Sequence, residues 1–126
     1  MLTANQRPVF LNLLQIRLPV AGVMSIVHRA TGVFMVLGIP FLVYLLERSL
    51  AGPDGFSGVV ALIDGLPGRI GLFLCLWALL HHLFAGIRYL LLDIDIVIDK
   101  PLYRATAWFV LFAAPVAAFL LQGVIA

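Results

Sequence analysis

The chain has 126 residues, of which 63% are hydrophobic and only 11% charged, with a formal net charge of +2. A soluble globular domain carries about 25% charged residues, so this composition cannot cover a water-facing surface, and so small a net charge does not suit a nucleic-acid partner. The single cysteine, Cys75, lies in an apolar run and reads as a small buried hydrophobe, so no disulfide framework exists. Residues 1–20 hold Asn5, Gln6, Arg7, Asn12, Gln15 and Arg17 with no apolar core of about 7–15 residues between them, so a cleavable signal is not expected. Residues 1–21 read as a polar N-terminal segment.

A membrane-spanning helix needs about 20 mostly apolar residues, and three stretches supply them. Ala30 to Leu46 has no charge and extends back to Met24, Ile70 to Ile87 is free of formal charge apart from its histidines when protonated, and Ala105 to Ala126 has no ionisable side chain. The predicted spans are residues 22–48, 68–92 and 103–125. Lipid offers the backbone no hydrogen-bond partners, so helices are the expected solution, and the ten-residue alternation of a barrel is missing. Pro40 falls inside the first span, where a kink is tolerated. Ala51-Gly52-Pro53-Asp54-Gly55 and Leu66-Pro67-Gly68 are turn clusters, with a short interfacial helix or a loop between them. Asp93 to Tyr103, with Asp93, Asp95, Asp99, Lys100 and Pro101, reads as a polar hairpin.

Basic residues set the expected orientation. Arg7, Arg17 and Arg29 flank the first span, and Arg88, Lys100 and Arg104 flank the second connection, whereas the first connection holds only Arg48 and Arg69. The positive-inside rule then puts the N-terminus and the Asp93–Arg104 hairpin in the cytoplasm and the C-terminus in the periplasm. The expected class is an all-α, multi-pass protein of the bacterial inner membrane. It forms one transmembrane domain over residues 1–126, with the lipid bilayer as its solvent.

Ionisable groups at membrane depth are costly, so each calls for a reason. On the second span His82, Gly86, Tyr89 and Asp93 share one helical stripe. An imidazole can ligate haem iron, and a missing side chain one turn away leaves room for a porphyrin plane. His81 points about 100° away, toward Arg88. On the first span Ser25, Arg29 and Gly32 form a polar notch suited to a quinone headgroup, with Arg29 donating to a carbonyl oxygen and Ser25 bonding to the same ligand. On spacing alone plainer roles stay open: the histidines could bond a neighbouring helix, and Arg29 could reach out to lipid phosphate. Trp77, Trp108, Tyr44 and Tyr103 read as packing or interface anchors.

The segment Arg7-Pro8, Arg17-Leu18-Pro19 and Ser25-Ile26-Val27-His28-Arg29-Ala30-Thr31-Gly32 resembles the first signature of the succinate dehydrogenase cytochrome b subunits. His82-Leu83-Phe84-Ala85-Gly86-Ile87-Arg88 followed by Asp93 resembles the second. The resemblance spans nearly the whole chain. It implies that His82 is one axial ligand of a haem b shared with a small membrane anchor subunit, and that Ser25 and Arg29 line the ubiquinone site near the iron–sulfur subunit. It implies further that His28 and Arg88 serve the haem propionates, and that succinate is oxidised on a separate flavoprotein subunit. Tyr89 stands where the family often has a second histidine, and a tyrosine can still donate a hydrogen bond there. Two rivals share these features: a fumarate reductase anchor and a haem-free structural anchor. A di-haem cytochrome would need four axial histidines, and the chain has three.

Overall fold

The computed structural model describes residues 17–125; Arg7, Pro8 and the rest of the N-terminal segment up to residue 16 lie outside the described residues, as does Ala126. Four helices follow one another: α1 (Val20–Leu50), α2 (Pro53–Asp64), α3 (Leu66–Asp93) and α4 (Lys100–Ile125). No strand occurs among the described residues. α1, α3 and α4 are long and apolar enough to cross a membrane, since a rise of about 1.5 Å per residue carries each past the roughly 30 Å hydrocarbon core. They overlap the three predicted spans: α1 and α3 run slightly past them at both ends, and α4 starts earlier, at Lys100, and ends at Ile125 as predicted. The stretch that sequence left as helix or loop is helical, as α2.

Local chemistry sets the boundaries. α1 begins after Pro19, whose extended backbone puts its carbonyl within reach of the Gly22 and Val23 amides. It ends before Gly52, which takes φ 126°, a conformation that side chains disfavour. Pro53 then opens α2, where its missing N–H is no loss. The start of α3 lies so close to the end of α2 that a Cβ on Gly68 would collide with the backbone of Leu62 and Ile63. The α3–α4 hairpin turns through two left-handed residues, Asp95 (φ 59°) and Val97 (φ 71°). Asp tolerates this conformation, whereas β-branched Val adopts it only under constraint.

α3 is the central element, packing most extensively on α4 and next on α1. α4 offers α3 a stripe of small buried residues, Ala107, Val110, Ala114 and Ala118, which lets the two backbones approach as membrane helices require. At the far end Gln122 donates to the Arg69 carbonyl at 2.7 Å. The buried cluster of Met24, Ala85, Ala107 and Val110 joins the start of α1, the end of α3 and the start of α4. The same end carries His28, His82 and Arg88. Elsewhere the apolar surface is open: only 6% of the most apolar window of α1 is buried within the chain. Such a face belongs against lipid or other membrane subunits.

Candidate functional site

His82 projects from α3 onto α1. Its Nδ1 lies 3.1 Å from the His28 carbonyl oxygen. A carbonyl can only accept, so the ring proton is assigned to Nδ1, and Nε2 keeps its lone pair. The His28 and His82 rings stack at 4.0 Å with 18° between their planes, and Tyr89 meets the His28 ring edge-on at 5.3 Å. The close approach depends on Gly32: a Cβ there would stand 3.0 Å from His82 Cε1 and 3.4 Å from Nδ1. His28, Arg29, Gly32 and His82, with Val33, Val36 and Leu37, line an open groove of about 500 Å³ between α1 and α3. Gly86, one turn along from His82, has nothing within 4 Å of where its Cβ would be.

This donor set fits a haem. An iron-ligating histidine typically donates its other ring N–H to a carbonyl or carboxylate, which holds the tautomer and raises ligand basicity. The groove walls are apolar apart from His28, Arg29 and His82. His28 Nε2 is buried with no partner among the described residues, an orphan that a carboxylate on the bound group would satisfy. Among the described residues no group of three or more His, Cys, Asp or Glu is placed to hold a metal ion.

Of the residues singled out from sequence, His28, Arg29 and His82 come together in this groove. Ser25 lies one turn before Arg29 on the same helix, half-buried, and is not among the groove-lining residues. Arg88 is elsewhere. It is 4% exposed, with Nε donating to Thr106 Oγ1 at 3.1 Å and Nη2 to the Tyr103 carbonyl at 2.9 Å. Its guanidinium sits 4.5 Å over the Tyr103 ring. These partners are on α4, and Arg88 lines a separate groove between α3 and α4. His81 is fully buried, tilted against Trp77, and neither of its ring nitrogens is bonded among the described residues.

Sequence reasoning placed Gly32 in the polar notch of the first span without seeing that it seats His82. It assigned no role to Thr31, whose Oγ1 donates to the His28 carbonyl at 2.9 Å, the same oxygen that accepts from His82. Both sit within a turn of His28, but only the crossing of α1 and α3 exposes the link. Tyr103 was read as an anchor, and its part in holding Arg88 needed the tertiary structure.

Residues 3–121 match the family described as succinate dehydrogenase/fumarate reductase transmembrane subunit. The chain is 35% identical over 121 residues to the succinate dehydrogenase cytochrome b556 subunit of Coxiella burnetii, covering 94% of this chain and 95% of that one. It is 36% identical over 89 residues to the subunit of the same name from Paracoccus denitrificans, covering 71% of this chain and 68% of that one.

Proposed function

We infer the function of this chain from its family: it belongs to the succinate dehydrogenase/fumarate reductase transmembrane subunits, and it is a multi-pass protein of the bacterial inner membrane. Within that family we read it as the haem b-bearing anchor of a succinate:ubiquinone oxidoreductase. Both relatives carry succinate dehydrogenase and cytochrome b556 in their names, which favours succinate oxidation over fumarate reduction and a haem-bearing over a haem-free anchor.

The observation that carries the reading is the bond from His82 Nδ1 to the His28 carbonyl beside an open groove. His82 Nε2 would ligate the iron of a haem b shared with a small membrane anchor subunit. His28 would donate from Nε2 to a haem propionate. When bound, a haem b would supply a one-electron redox centre. Arg88 keeps only Nη1 unpartnered and lines a different groove, so the geometry supports helix pairing for it over propionate binding.

Arg29 borders the same groove and stands one helical turn from Ser25, and together they would hold a ubiquinone headgroup. The guanidinium donates to one carbonyl oxygen and stabilises the negative charge that reduction puts there. The Ser25 hydroxyl orients the ring. Electrons would arrive from an iron–sulfur subunit, itself supplied by a flavoprotein that oxidises succinate, so this chain needs no succinate site. The N-terminus and the α3–α4 hairpin would face the cytoplasm and the C-terminus the periplasm.

The test is His82→Ala in the intact complex purified from membranes. The reduced b-type absorbance is expected to vanish or to shift severely. An unchanged haem spectrum rejects the ligand role.

A further inference from the structure

We infer that Thr31 and Gly32 are positioning residues for the axial ligand: together they set the plane and hydrogen bonding of the His82 imidazole, and through it the potential of the haem. The inference rests on the reading of His82 as an iron ligand. Two independent contacts carry it. Gly32 is where α1 meets the Cε1–Nδ1 edge of the ring, since an added methyl would stand 3.0 Å from Cε1 and 3.4 Å from Nδ1, closer than carbon atoms pack. Thr31 is buried at 2% exposure and shares the His28 carbonyl with His82, its Oγ1 at 2.9 Å and the His82 Nδ1 at 3.1 Å.

The consequences differ in kind. A methyl at position 32 must displace the ring by a few tenths of an ångström, and that shift bends the Nδ1–H bond away from the carbonyl. The helix itself gains from the exchange, because alanine is a better helix former than glycine, so any change at the haem does not come from melting α1. Removing the Thr31 hydroxyl acts on charge. The His28 carbonyl then has one fewer donor and accepts more strongly from His82, the imidazole becomes more electron-rich, and ferric iron is favoured. An isosteric valine leaves no buried polar atom stranded, because the His28 carbonyl still holds the His82 proton.

The experiment is an optical redox titration, with low-spin haem EPR, of the complete complex carrying Gly32→Ala, Thr31→Val, Gly38→Ala or His82→Ala. Gly38 is on the same helix, with nothing within 4 Å of a Cβ, and serves as control. Gly32→Ala is expected to retain haem but to shift both midpoint potential and g values away from those of Gly38→Ala. Thr31→Val is expected to lower the potential. If His82→Ala loses its haem while Gly32→Ala matches Gly38→Ala in both readouts, the positioning inference is overturned and the ligand reading stands. If His82→Ala keeps an unaltered haem, the ligand reading fails and this inference falls with it.

Discussion

His81 and His82 are neighbours in the chain and meet opposite surroundings. A step of one residue turns a helix by about 100°, which carries His81 into the α3 face that is buried with Ala78, Ala85 and Arg88. His82 instead meets the His28 carbonyl and an open groove. The first imidazole has no hydrogen-bond partner among the described residues, whereas the second has one nitrogen anchored and one free, as a ligand needs. Arg29 is exposed on the rim of the same groove. In an Arg29→Ala variant, quinone reduction is expected to fall about 10- to 150-fold, corresponding to loss of a charge-assisted hydrogen bond of about 1.5–3 kcal/mol. Succinate oxidation with a soluble dye should persist, and equal losses in the two assays would indicate failed assembly instead.

Among the elements, α3 does the organising, and Arg88 is its principal polar link to α4. Two hydrogen bonds and a ring contact tie the guanidinium to Thr106 and Tyr103, and all these partners are neutral. Interhelical hydrogen bonds in membranes average about 0.6 kcal/mol each, and a desolvated cation–π contact adds about 1–2 kcal/mol. Arg88→Ala is therefore expected to weaken α3–α4 pairing by about 1–3 kcal/mol, seen as a lower thermal midpoint of the complex in detergent. Arg88→Lys should recover little, because an ammonium cannot reach the Thr106 hydroxyl and the Tyr103 carbonyl with the same planar fork. Full recovery by lysine would mean that charge alone matters there.

Across the whole molecule, the residues of the candidate site gather at one end. The start of α1 carries His28 and Arg29, the end of α3 carries His82 and Arg88, and the start of α4 packs beside them, while the middle of the bundle is apolar and largely uncovered. Electrons that reach this chain at a single membrane face would need redox and quinone sites at that depth. The proposed topology puts this end on the cytoplasmic side and α2 on the periplasmic side. In a Cys75→Ala background, Ser57→Cys on α2 should react with a membrane-impermeant maleimide in cells whose outer membrane alone is opened. Asp95→Cys in the hairpin should react only after the inner membrane is breached. The reverse pattern would invert the topology.

Sequence by itself determined the three apolar spans and singled out His82 as a candidate, because lipid makes apolar length and a rare ionisable group decisive one residue at a time; the expected Asp93–Tyr103 hairpin is shorter in the structure, where α3 runs to Asp93 and α4 starts at Lys100. The motifs around Ser25–Gly32 and His82–Arg88 also carried the family. Tertiary structure alone decided which helix each side chain addresses. Arg88 goes to α4, away from the His28 groove; Gly32 yields its Cβ volume to a ring on another helix; and Thr31 and His82 share one carbonyl. A helical repeat specifies the face a residue occupies, but which face meets which neighbour depends on how α1, α3 and α4 pack together, and no single helix contains that information.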